Sequence, residues 1–269
     1  METLSVGGIT LYFDASERET AEVIRDACER SIQIIREHWG LDTPKECRMY
    51  VMTSWLQFIF HSAPWAWRIL LGAFFPLWCL RVMRVWKFSA GWTQHYGKRV
   101  AVGVKPPRLV AAANKDIGQQ IFTKQWNRIQ KTQLITCHEL VHAFTGHLRL
   151  PPWLHEGLAM TTVDRFVGEP TIRRDTIETL AQASLHTRPK GYRSLSPGDT
   201  NTFVYLFVRG YWIVRYLEDT QPGLLRTLLA ERHGHKALED KLASALGMTR
   251  EEFWGRIDGV VATHFETDR

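Results

Sequence analysis

The chain contains no C-x-x-C pair. Cys28, Cys47, Cys79 and Cys137 are scattered along 269 residues, which argues against a disulfide framework and against a zinc-finger module. Free, mostly buried thiols in a reducing compartment such as the cytoplasm are the expectation. Residues 1–10 lack both a basic n-region and an apolar h-region, so no secretory signal is read there. No internal repeat is visible. No apolar run reaches the ~20 residues that span a bilayer. Lys and Arg number 34 against 28 acids, for a net charge of +6 and a pI of about 9.2. These charges are dispersed and no aromatic-basic module accompanies them, so nucleic acid is not an expected partner. With 45% hydrophobic and 23% charged residues, the composition is that of an ordinary globular chain.

Local patterns predict an α+β fold, mainly helical, with a small antiparallel sheet. Ile9–Phe13, Arg48–Thr53 and Arg99–Val104 read as strands. Ala21, Ile24, Cys28, Ile32 and Ile35 recur at helical spacing, which predicts a helix over 16–39. Ser16 and Glu19 have the spacing of a capping box, and Gly40 suits the position after the helix end. Residues 116–146 read as helix with a break, followed by a Pro151-Pro152 turn and a helix over 153–163. Residues 184–201 are rich in Ser, Thr, Pro and Gly and read as an irregular loop. From Thr202 the pattern is helical to the end, interrupted near Gly223, Gly234 and Gly247. The organisation expected is one domain over 1–269, with a C-terminal helical part from 202.

Residues 55–88 interrupt that plan as an apolar insertion. Residues 55–67 carry no Asp, Glu, Lys or Arg, residues 69–80 are apolar throughout, and Arg81, Arg84 and Lys87 follow. Arg68, Pro64 and Pro76 break the stretch, so a spanning helix is disfavoured. Two readings stand: a buried cover over the domain, or a peripheral membrane contact with tryptophans and a basic flank at the interface.

The most specific signal is His138-Glu139-Leu140-Val141-His142, an H-E-x-x-H pattern in a segment with helical apolar neighbours. Histidines four apart share a helix face and can converge on one Zn²⁺, and the intervening glutamate is placed to act on a metal-bound water. A third ligand is then needed. The extended pattern with a glycine turn and a third histidine is off register, since its positions hold Thr145 and Leu148. Glu156, in Trp153-Leu154-His155-Glu156-Gly157-Leu158-Ala159 beyond the proline turn, is the other source. His155 competes with it, although it points about 100° away on the same helix.

Together, H-E-L-V-H and W-L-H-E-G-L-A resemble the gluzincin metallopeptidases, specifically the peptidase MA-like group. The resemblance implies a zincin-like domain with the zinc site between two helices, His138, His142 and Glu156 as Zn²⁺ ligands, and Glu139 as general base. It also implies an antiparallel edge strand, read as Arg99–Val104, that aligns a peptide or protein substrate. Tyr205 and Tyr211, on the helix expected after the site, are the candidates for stabilising the oxyanion, with Tyr211 preferred. The chain departs from the group at Met160, where an acid is common, and Asp164 one turn further on is a candidate supporting carboxylate. The expected function is zinc-dependent peptide hydrolysis. The alternative is a non-catalytic, membrane-associated interaction protein on a peptidase scaffold, which an intact Glu139 disfavours.

Overall fold

The computed structural model describes residues 1–110, 115–182 and 200–266. The chain divides into two compact units. One comprises Met1–Arg36, Asp42–Asp116 and Gln125–Phe144; the other comprises Glu37–Leu41, Ile117–Lys124 and Thr145–Arg269.

The first unit is built on five strands: β1 (Glu2–Val6), β2 (Ile9–Phe13), β3 (Glu46–Val51), β4 (Gly91–Tyr96) and β5 (Arg99–Val104), in the order β1-β2-β3-β5-β4. The sheet is mixed, not antiparallel as expected. β1 and β4 pair antiparallel with their neighbours, while β2–β3 and β3–β5 are parallel. Helical excursions separate the parallel strands, and a parallel pair requires such crossovers. The edge-strand expectation is also corrected: β5 is paired on both sides, and β4 forms the edge beyond it.

Both edge hairpins turn on two residues. Gly7 and Gly8 take positive φ between the paired Val6 and Ile9. Gly97 does so in the Gly97-Lys98 loop between the paired Tyr96 and Arg99. Positive φ at the first or both central residues gives the tight turns whose twist matches that of the strands.

Alternation along the strands gives the sheet two covered faces. Leu11, Met49, Val102 and Thr93 lie in register on one face, against α1 (Arg18–Ile34), whose Cys28 thiol lies 3.4 Å from the Met49 sulfur. Glu17 occupies the cap position of α1 and a short 3₁₀ turn, Ala15–Glu17, precedes it, so the capping box predicted from Ser16 does not form. Five residues of π-helix, Ile35–Trp39, follow α1, and Gly40 has the positive φ expected of it.

Residues 55–88 fold as α2 (Trp55–Ser62), α3 (Trp65–Ala73) and α4 (Phe75–Phe88). Phe58 and Ile59 of α2 pack with Tyr50, Met52 and Ala101 on the opposite face of the sheet. Gly103 is required there, because a Cβ would stand 2.8 Å from the Met52 sulfur and 2.9 Å from the Phe58 ring. Trp78, Val82 and Trp86 of α4 pack against the same cluster at four-residue spacing, while α3 buries no residue. The insertion is thus neither wholly buried nor wholly free. No helix among the described residues is long and apolar enough to cross a membrane.

After β5 come α5 (Pro107–Val110), α6 (Lys115–Ile121) and α7 (Arg128–Thr145), and the predicted break falls between α6 and α7. Asn127 and Gln130 form a reciprocal capping box at the start of α7. The Asn127 side chain accepts from the Gln130 amide at 2.9 Å, and the Gln130 side chain accepts from the Asn127 amide at 3.3 Å.

In the second unit, α8 (Pro152–Val167), α9 (Thr176–Gln182), α10 (Thr200–Thr220), α11 (Leu224–Leu229), α12 (His235–Ala245) and α13 (Arg250–Glu266) follow one another. The loop expected over 184–201 lies outside the described residues, apart from its last two, which open α10. α8 and α10 cross at Gly157 and Gly210. A Cβ on Gly157 would lie 2.2 Å from the Gly210 carbonyl oxygen, and a Cβ on Gly210 2.2 Å from that of Trp153. Only glycine permits so close an approach of two backbones. Arg209 is fully buried beside this crossing. It donates to Asp258 at 2.7 Å, and its guanidinium lies over the Trp254 and Tyr205 rings.

Candidate metal centre

α7 carries His138, Glu139 and His142. Its final turns are buried almost all round by Cys137, Leu140, Val141, Ala143 and Phe144, which fixes the rotation of the helix and the direction of its histidines. Burial also pushes the Cys137 thiol up to about 12. The imidazoles stand edge to face with their Nε2 atoms 3.0 Å apart.

Glu139 is buried against the edge strand β4. Thr93 donates to its carboxylate Oε2 at 2.6 Å and lies 3.2 Å from its backbone carbonyl. Gly91, two residues earlier on the same sheet face, makes room for the side chain. A Cβ there would come within 2.5 Å of Glu139 Cγ and 2.7 Å of Oε1. The sequence reading missed this pair because β4 lies directly after the apolar insertion and alternates poorly. The signal that marks β4 is the Gly97-Lys98 hairpin loop, whose partner strand was already recognised.

After α7 the chain makes a 3₁₀ turn, Gly146–Leu148, and Arg149 takes a left-handed conformation at φ 54°. Pro152 opens α8, a position where a missing N–H is harmless and the fixed φ suits a helix. Glu156 follows one turn later and is buried. One ligand atom from each of His138, His142 and Glu156 lies within 4.8 Å of the others, and among the described residues this is the only cluster of its kind. His155 is not part of it. Two imidazoles and a carboxylate are the donor set of hydrolytic zinc sites, where tetrahedral bonds of ~2.0–2.1 Å place ligand atoms ~3.3 Å apart. The chemistry of this donor set therefore fits a zinc ion.

The remaining expected residues lie elsewhere in the second unit. Tyr211 is 1% exposed, and its hydroxyl donates to Asp164 at 2.6 Å. Asp164 also accepts from the Thr171 amide at 2.7 Å and the Thr171 hydroxyl at 2.6 Å. Burial raises the Asp164 carboxyl above its ordinary range, opposed by those hydrogen bonds. Burial, reinforced by the neighbouring Asp164 charge, pushes the Tyr211 phenol well above its own. Tyr205 donates to Asp258 at 2.8 Å. A hydroxyl donating to a buried carboxylate must break that bond before it can donate to anything else, so these contacts give neither tyrosine support as an oxyanion donor.

No protein-family model matches the chain, and comparison with curated proteins and with solved structures finds no significant similarity.

Proposed function

We propose that this protein is a zinc-dependent hydrolase of peptide bonds, of the gluzincin type that its two motifs resemble. The observation that carries the reading is the approach of His138, His142 and Glu156 to one another, beside a glutamate seated on a strand through Thr93. His138, His142 and Glu156 would hold the ion. Bound Zn²⁺ supplies Lewis acidity and lowers the pKa of a bound water towards ~7.

Glu139 is the general base. Its carboxylate takes the proton of the attacking water and returns it to the departing amine nitrogen. Thr93 fixes which oxygen does this: with Oε2 engaged by the hydroxyl, Oε1 is the oxygen left to receive the proton. The outer edge of β4, which pairs with no further strand among the described residues, is where an extended peptide would add as a further strand, in place of the β5 edge first expected.

The test is metal content by elemental analysis of protein purified without added metal or a metal-affinity tag. About one zinc per chain, lost in His142→Ala and strongly depleted in Glu156→Gln, is the expected result. A chain that takes up no zinc from excess metal would sink the proposal.

A further inference from the structure

Large exposed apolar side chains are concentrated in one place. Outside α2–α4, only Met1 and Ile129 belong to that class among the described residues. Trp65, Ile69, Leu70, Phe74, Leu77 and Leu80 form a run along α3 and the start of α4, with Trp65 75% and Leu77 80% exposed. A run of this kind exceeds the scattered apolar exposure normal for a surface and marks a contact site. It is not a misplaced core, because α4 already has an inward face in Trp78, Val82 and Trp86. The hairpin is also held in shape. The Trp78 indole donates to the Leu71 carbonyl at 2.9 Å, and Trp55, Phe75 and Trp78 pack ring against ring.

We propose that α3 and the first turns of α4 dock this protein onto the surface of an anionic lipid bilayer. Charge selects that occupant. Residues 47–115 contain ten Lys and Arg and no Asp or Glu. The whole net charge of +6 therefore comes from this stretch, and the rest of the chain is net acidic. Arg68 lies within the apolar run, and Arg81, Arg84 and Lys87 follow it directly in sequence. Apolar residues that enter the acyl boundary, tryptophans at headgroup depth and a cationic flank without acids match an anionic membrane interface.

A second copy of this chain is a poorer occupant. A two-fold contact through this patch would bring like charges together, with no carboxylate from residues 47–115 to answer them. Crossing the bilayer is excluded by length, because α4, the longer helix, spans Phe75–Phe88 and reaches only ~21 Å of the ~30 Å hydrocarbon core. The hairpin lies on the sheet face opposite Thr93 and Glu139, so the docking surface is not the face that carries Glu139.

Flotation of the full chain with vesicles of phosphatidylcholine alone, or with about 30 mol% phosphatidylserine, tests this. The expected result is binding to the anionic vesicles at least about tenfold stronger than to the neutral ones, weakened by added salt. Leu77→Glu with Leu80→Glu should lower that binding by about tenfold or more. Both positions are exposed, so near-UV circular dichroism should not change. Ile129→Glu, at an exposed site on α7 and not on α2–α4, should bind as the parent does. Three results would overturn the proposal: no vesicle binding, equal binding to both compositions, or binding unaffected by the double substitution. Vesicle-independent dimers that the double substitution dissociates would assign the patch to a second copy instead.

Discussion

Glu139 and Tyr211 were both expected to be catalytic, and their side chains end in different kinds of contact. Glu139 has one oxygen engaged by a threonine on an edge strand and the other beside a glycine. On the proposed function, Glu139→Gln should retain bound zinc and lower kcat by about 10²–10⁴, measured on any peptide the parent cleaves. Thr93→Val should also keep the zinc and lower kcat by about tenfold with KM little changed, since it removes a bond to a charged group worth ~1.5–3 kcal/mol. An unchanged kcat would make Thr93 a packing residue only. Tyr211 is different, because its hydroxyl serves Asp164 deep in the second unit. Tyr211→Phe should reduce stability by ~1–3 kcal/mol in urea denaturation and leave kcat within about threefold. A loss of kcat on the scale of Glu139→Gln would restore the oxyanion role. The proposed ligand positions and the proposed base were legible in the sequence, because metal ligation would fix residue type and helix spacing. Thr93 was not, because no spacing rule ties a strand threonine to a helix 46 residues later.

At the scale of elements, the crossing of α8 and α10 gives Gly157 of the E-G-L-A motif a physical reason. Its neighbour Glu156 depends on how closely the two helices approach. Gly157→Ala should destabilise the protein by about 3 kcal/mol or more and weaken zinc retention, since backbone and not a flexible side chain stands 2.2 Å away. Gly255→Ala, in α13 with nothing within 4 Å of the added methyl, should instead stabilise by roughly 0.5–1 kcal/mol. Thermal melts of the two variants check the contrast. Long amphipathic helices were legible because their period is sustained, as in the buried face of α1. The short edge strands β1 and β4 were not, because five or six residues on a half-solvated edge carry little pattern and their pairing depends on the turn beside them. The parallel pairing of β3 with β5 was equally hidden: two strand segments look alike whichever way they run.

Across the molecule, the thiols report on the same packing. Cys28, Cys47 and Cys137 are buried, and desolvation raises all three, Cys47 and Cys137 to about 12 and Cys28 also well above its ordinary value. Only Cys79, on α4, is partly exposed. Native protein at pH 8 should therefore release about one equivalent of chromophore from a thiol-exchange reagent, with the other three following only on unfolding. Rapid release of four equivalents would contradict the packing of α1, β3 and α7.

The register of the sheet bears on what the chain can tolerate. Val51 and Gly91 are paired with the two sides of the same residue, Val104. The stretch 52–90 thus leaves and rejoins the sheet at points about 10 Å apart, two strand spacings. Such an excursion is a closed loop, whose entropy of closure grows only with the logarithm of its length. A change in its length alters that term by only a fraction of a kcal/mol, but at the α3–α4 junction it would also break the Trp78–Leu71 hydrogen bond and the packing of Trp55, Phe75 and Trp78.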